Sequence, residues 1–418
     1  MKYPFVLTGL IILIHSALAD SPSRLSMGGY GEAVYQRMFY SDNIQRYLYP
    51  ENNRDASHGR FDLPHVVWFV AYDFGKGWKI SSEIEFEHGG SGGAVEIEHE
   101  EGGEYETEIE KGGEVALEQF WIEKTFSDAA HLRVGHFIVP IGLTNQHHLP
   151  TEFFSVLRPE EESELLPCTW HQTGISFWGK THNWGYEAQV ISGLDAERFN
   201  NLNWIKDGAI SPYEFEIANT LAGVLRVDNY SIAGLRLGMS GYFGYSAKNS
   251  LKWERYTNQK IEGELLIGAF DAVYSSHSLI VRANILYGHL FDAYAISMVN
   301  KRLPSAGPSP RTDVASDAVS AYAEVGYDIF HLLPKNNRTT GKCYLYGHYG
   351  FYDSMYKTAG NIQPKGYSRK TVISGGINYY PIDEVVLKAE YAFRKFNQPY
   401  NNEPTFSLGI AYSGFFEL

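Results

Sequence analysis

The sequence predicts an all-β fold, a transmembrane antiparallel β-barrel of about sixteen strands with short periplasmic turns and long extracellular loops. Three observations predict it. Hydrophobicity repeats with period two along most of the chain, so side chains alternate between two faces of extended strands. Connections between these runs alternate between short and long, and an even strand count with that alternation marks a membrane barrel. The composition holds 30 Tyr, 24 Phe and 41 Gly among 418 residues, as an aromatic-rich all-β chain requires.

The N-terminus is expected to be a signal peptide, residues 1–19. One lysine, Lys2, precedes an apolar run from Phe5 to Ile14, and Ala17-Leu18-Ala19 supplies the small-x-small cleavage pattern. Residues 20–418 then form a single domain. No later segment approaches 18 consecutive apolar residues, so helical membrane spans are not expected.

Sixteen strand-like runs follow, at about 27–40, 64–74, 78–88, 114–124, 131–140, 171–179, 184–194, 221–229, 231–245, 261–274, 278–290, 318–330, 342–352, 371–380, 384–395 and 404–418. In the last, Phe406, Leu408, Ile410 and Tyr412 form an apolar face against Ser407, Gly409 and Ala411. Gly75–Gly77, Ser127–Ala130, Lys180–Asn183, Ser275–His277 and Pro381–Asp383 are short turns. Long connections lie at 41–63, 89–113, 141–170, 195–220, 246–260, 291–317 and 353–370. One gap, 331–341, is long where a turn is expected. Trp68, Trp78, Trp121, Trp178, Trp184, Tyr379 and Tyr380 fall near strand ends, where interface girdles sit.

The acidity is local. Formal net charge is −14 for the chain, yet residues 83–120 alone hold 13 Glu and one Lys. They contain the octet E-x-E-x-E-x-G-G three times: EIEFEHGG from Glu83, EIEHEEGG from Glu96 and ETEIEKGG from Glu106. On a strand this pattern puts three carboxylates on one face. Glu83, Glu85, Glu87, Glu114 and Glu118 are the expected acidic pore-lining residues. Glu96, Glu98, Glu100, Glu106, Glu108 and Glu110 belong to an acidic loop, 89–113, in which Gly102-Gly103 suggests a hairpin extension. Three readings stay open: a solvated surface hairpin, a carboxylate row that biases permeation, and a divalent-cation site. Calcium suits clustered carboxylates, and His88 and His99 widen the choice of metal, but no D-x-D-x-D-G loop is present, so no resident cofactor is expected.

Segment 141–170 is the candidate constriction loop, with Asn145, His147, His148, Arg158 and Glu160 as its polar residues. Cys168 and Cys343 are expected to be free, buried thiols. G-x-S-x-G, H-E-x-x-H and P-loop spacings are absent, so an enzyme is not expected. A 22-stranded transporter with a plug does not fit in this length.

EVALEQFWIEK (114–124), LRVGHFIVPIGLTNQHH (132–148), RPEEESELLPCTWHQTGISFWG (158–179) and GLDAERFNNLNWIKDGA (193–209) resemble the phosphate-selective porin O and P family in its Bacteroidota-type form. The resemblance covers roughly 83–210. It implies a sixteen-stranded, usually homotrimeric outer-membrane channel of a Gram-negative cell, narrowed by inward-folded loops. Phosphate-specific members select anions with lysine and arginine ladders; the inward basic candidates here are Arg226, Arg236, Arg282, Lys388 and Arg394. The expected function is passive, weakly charge-selective diffusion of ions and small solutes, phosphate or other anions among them. Membrane lipid and small solutes are the expected partners, and nucleic acid is not. The alternatives are a plugged surface barrel acting in adhesion or assembly, and a barrel hydrolase.

Overall fold

Alternate residues of sixteen antiparallel strands turn inward, and the sheet closes on itself. The computed structural model describes residues 24–41, 57–98, 104–210, 216–303, 311–333 and 341–416, with backbone alone for 92–112. The expected signal peptide, His99 and Glu100 lie outside the described residues, as does most of 331–341.

The strands are β1 (Leu25–Met38), β2 (His58–Asp62 and His65–Gly75), β3 (Trp78–Glu98), β4 (Glu104–Ser127), β5 (Ala130–Ile138), β6 (His171–Thr181), β7 (Trp184–Ser192) and β8 (Leu221–Ile232). They continue as β9 (Leu235–Tyr245), β10 (Glu264–Ser276), β11 (Leu279–Leu290), β12 (Asp317–Asp328), β13 (Lys342–Lys357), β14 (Arg369–Ile382), β15 (Val385–Lys395) and β16 (Glu403–Phe416). Strand β2 is in two pieces because Pro64 has no N–H to give the ladder. Both pieces pair with β1. Each strand pairs with its chain neighbours, and β1 also pairs with β16, which closes the barrel. Closure satisfies every strand edge, the condition for a sheet in hydrocarbon.

The outer face is apolar: Trp68, Ile84, Leu117, Ile122, Val134, Ile175, Leu225, Met239, Phe270, Ile285, Leu345, Ile377, Leu387 and Ile410 are all exposed there. Trp78, Trp184 and Tyr379 share that face. Trp121, Trp178 and Tyr380 do not belong to a girdle, contrary to expectation. They alternate with outward Phe120, Phe177 and Tyr379, so the pleat turns them inward. There Arg133 lies over the Trp121 ring at 4.4 Å, and Trp178 Nε1 donates to Glu123 at 2.8 Å.

Segment 89–113 is strand for most of its length and is not an irregular loop. Beyond the Glu87–Glu114 pair, β3 and β4 pair with each other alone, with Glu96 opposite Glu106 and Glu98 opposite Glu104. The register shifts at Glu87/Ser91 and Gly92/Ala94, where the glycines fall. This hairpin extends the wall past its neighbours by about ten residues, or about 33 Å at strand rise.

The core of the molecule lies inside the barrel. Segment 139–170 and the connections after β7, β9 and β11 turn inward and pack Trp170, Trp204, Phe199, Leu165, Ile141, Tyr256 and Ile296 into one cluster. Among the described residues, three short α-helices belong to these segments: α1 (Glu160–Ser163), α2 (Glu254–Thr257) and α3 (Ala293–Asn300). They are tied across: Asn300 Nδ2 donates to Ala196 O at 2.9 Å, and Arg311 pairs with Glu197.

Candidate functional site: the constriction segment and the lumen wall

Segment 139–170 leaves β5, crosses the lumen and returns to β6. Its neck is closed by Val139 N donating to Trp170 O at 2.8 Å. Asn145, fully buried, joins the two limbs. Its Nδ2 donates to Ile141 O and Pro167 O, and its Oδ1 accepts from Trp170 N at 2.7 Å. Gly142 turns here at φ +78°, and a Cβ on it would lie 2.1 Å from Glu162 Oε2. A Gly142→Ala substitution is therefore expected to cost about 1–2 kcal/mol from the left-handed backbone alone, read as a lower temperature for loss of the compact barrel band on gels. An unchanged midpoint would mean that the neck does not hold the segment.

The far end is fixed to the opposite wall. Lys388 Nζ donates to Phe153 O and Ser155 O at 2.9 and 2.8 Å, and Asn378 Nδ2 donates to Phe154 O at 2.9 Å. Val156 N donates to Glu390, and Tyr380 OH to Thr151 O. The Phe154 ring stacks on Tyr346, with Arg282 at 4.7 Å from its centroid. The glutamate run of α1 is shared out among three groups of the wall. Glu160 pairs with Arg394 at 2.5 Å, Glu161 with His348 at 2.9 Å, and Glu162 accepts from Tyr322 OH and Thr144 Oγ1. Backbone carbonyls, charge pairs and an aromatic stack all converge, so the segment is held rather than suspended.

The five basic candidates all turn inward, but they do not form an open basic wall. Arg226 and Arg236 pair with Asp228 and Asp271 at 2.7–3.0 Å, and Arg226 also donates to Gly142 O. Arg282 pairs with Glu324 at 2.9 Å. With Lys388 on the segment's carbonyls, only Arg394 of the five lines the large cavity. The physical reason is desolvation: an inward charge under a packed segment survives only with partners.

Among the acidic candidates, Glu83 and Glu85 are buried on the inward face. Glu83 accepts from Gln119 and Glu85 contacts His65 at 2.6 Å. Glu118 is the extra residue of a bulge opposite Glu83/Ile84 and contacts His171 at 2.6 Å. Glu87 is half-buried, and Glu114 stands opposite it but is exposed. For Glu96, Glu98, Glu106, Glu108 and Glu110 only the backbone is described. His147 lies 3.5 Å from Glu152, and His148 lies edge-on to Tyr30; both are packed within the neck. His88 pairs with Asp62 at 2.9 Å. The two cysteines are free thiols.

The large cavity, about 780 Å³, lies in the long-loop half of the barrel, between the segment and the wall of β1–β3 and β13–β16. Among the described residues, seven carboxylates line it: Asp62, Glu87, Glu160, Glu161, Glu164, Glu390 and Glu403. Five lysine or arginine residues face them: Arg60, Arg158, Lys206, Lys370 and Arg394. Histidines His65, His88 and His348 also line it. Sequence patterning pointed to Glu87, Arg158, Glu160 and Arg394. It missed His65, Glu390 and His348, although each sits in the inward phase of its strand.

No family model matches the chain. It is 26% identical over 394 residues to an uncharacterized protein of Aquifex aeolicus, covering 91% of this chain and 78% of that one. Among solved structures, it is similar to the outer membrane channel DcaP of Acinetobacter baumannii, with TM-score 0.55, 10% identity, and 93% and 97% of the two chains covered. Salmonella typhi OmpF, solved in complex with daunomycin, gives TM-score 0.55, 9% identity and the same coverage. The anion-selective porin from Comamonas acidovorans gives TM-score 0.51, 10% identity, and 93% and 99% coverage. With sixteen antiparallel strands in a closed ring, the chain has the general bacterial porin fold.

Proposed function

We propose that this protein is an outer-membrane porin of a Gram-negative cell through which ions and small solutes diffuse passively, with a weak preference for cations. The observation that carries the reading is the pinned segment 139–170. It narrows a closed barrel without filling it and leaves a charged cavity of about 780 Å³. Export through the cleaved signal peptide, the apolar outer band and assembly as a homotrimer belong to the same reading. The resemblance to phosphate-selective porins points towards anions. The state of the wall points the other way, because the inward arginines are neutralised by Asp228, Asp271 and Glu324. Among the described residues, seven carboxylates against five lysine or arginine side chains support that bias.

The test is the reversal potential of the purified protein in planar bilayers under a KCl gradient, repeated with potassium phosphate. The expected result is a small potential of cation-selective sign in both salts. An anion-selective potential would overturn the charge preference and return weight to phosphate. No conductance would overturn the channel and favour a plugged surface barrel.

A further inference from the structure

His65, Glu85 and Glu87 meet on the inward face of β2 and β3. His65 stands directly opposite Glu87 in the ladder, and Glu85 opposite Val67 is its diagonal neighbour. His65 Nδ1 lies 2.6 Å from Glu85 Oε1. One donor atom from each of the three residues lies within 4.8 Å of the other two. On the far side of the imidazole, Nε2 is 3.9 Å from Glu32 Oε1 of β1. His65 and Glu87 both line the large cavity, so an ion reaches them from solvent. Among the described ion pairs, neither Glu85 nor Glu87 meets a lysine or arginine.

We propose that His65, Glu85 and Glu87 bind a divalent transition-metal cation on the channel wall. Donors around zinc stand about 2.0–2.2 Å from the metal, so a cluster of this span closes on an ion with small side-chain rotations. His65 Nδ1 and one oxygen each from Glu85 and Glu87 are the ligands. Glu32, 3.9 Å behind Nε2, stands on the side where carboxylates back metal-binding histidines, and its charge favours the tautomer that leaves Nδ1 free for the metal. A nitrogen donor separates this site from a calcium or magnesium site, which takes oxygen alone. The first acidic octet supplies the two carboxylates, and the second residue of the Pro64-His65 pair supplies the nitrogen. Two like charges on neighbouring positions of a buried wall are relieved by the bound cation. The site does not depend on conduction.

Zinc titration of the full-length, EDTA-treated protein in detergent, followed calorimetrically, tests it. One Zn²⁺ per chain is expected. His65→Ala and Glu87→Gln should each weaken binding by more than about tenfold, the least that losing even an orienting partner costs. His88→Ala, whose imidazole is paired with Asp62, should leave affinity unchanged. Excess Ca²⁺ should not displace Zn²⁺. Absence of saturable binding, full affinity in His65→Ala, loss in His88→Ala alone, or displacement by Ca²⁺ would each overturn the site. Should His65→Ala fail to give a heat-modifiable barrel, Glu87→Gln carries the test, with the visible absorption of bound Co²⁺ as the readout. Retention of the wild-type Co²⁺ spectrum in that variant would overturn the assignment.

Discussion

Replacing residues 147–164 with a short Gly/Ser linker will raise single-channel conductance several-fold and move selectivity towards anions. Both effects follow from what the segment covers. The barrel wall is closed by its own ladder, from the β1–β16 register round to β15–β16, and does not need the segment to stay shut. The lumen is narrowed where residues 151–162 lie against β12–β16, with Lys388, Asn378, Tyr380 and Glu390 holding their backbone. Excision opens that cross-section to water. It also removes Glu152, Glu160, Glu161, Glu162 and Glu164 with a single cation, Arg158. Arg394 then loses Glu160 and Lys388 loses its two carbonyls. Each becomes a hydrated charge on the lumen wall, as does Glu390 on losing Val156 N, so the wall gains two free cations against one anion just as the acidic run leaves. Conductance steps and the reversal potential under a KCl gradient read the two effects separately. Wild-type conductance in the excised protein would mean that the narrowest point lies elsewhere, and a larger but more cation-selective pore would mean that the distant Glu rows govern the field.

Period-two patterning made the barrel legible because a membrane wall demands an apolar side chain at every second position. Strand β9 is a clear case: Leu237, Met239 and Phe243 face lipid or its edge, while Arg236, Ser240 and Tyr242 turn inward. The same rule cannot say what stands in front of an inward residue. Arg226 and Asp228 share a face by spacing, so their pairing was readable in principle; Asp271 joins them only through the β9–β10 register. The length of the β3–β4 hairpin was obscured for another reason. In Glu98-His99-Glu100-Glu101 polar residues occupy both phases, and glycines interrupt the alternation where the ladder shifts. The neck at Asn145 is a loop device whose hydrogen bonds go to backbone, and backbone contacts of a loop leave no periodic mark.

Asp271→Leu will destabilise the barrel by about 3–5 kcal/mol, the cost of removing one partner from a buried charge network. Asp271 is fully buried; it accepts from Arg226 at 3.0 Å and forms a charge pair with Arg236 at 2.7 Å. Asp228 takes the other side of each guanidinium. Two acids and two bases are thus neutral together, and they fit because Gly238 stands between them. It is opposite Asp228 on β8 and Asp271 on β10, and a Cβ there would lie 2.4 Å from Arg226 Nη2 and 2.6 Å from Asp271 Oδ1. Losing Asp271 leaves a net positive charge with one carboxylate under segment 139–170. The midpoint of heat unfolding, read as loss of the compact band, should fall accordingly. Adding Arg236→Met restores neutrality and should recover much of the loss, because Arg226 keeps Asp228 and the Gly142 carbonyl. A double variant no more stable than Asp271→Leu would mean that the packing of the acid, and not its charge, is what the wall requires. The same network fixes the base of the constriction segment through Gly142, so the single variant should also show noisier open-channel current than the double. If the two currents are equally quiet, the neck is held by Asn145 and the Val139–Trp170 pair without help from the charges behind it.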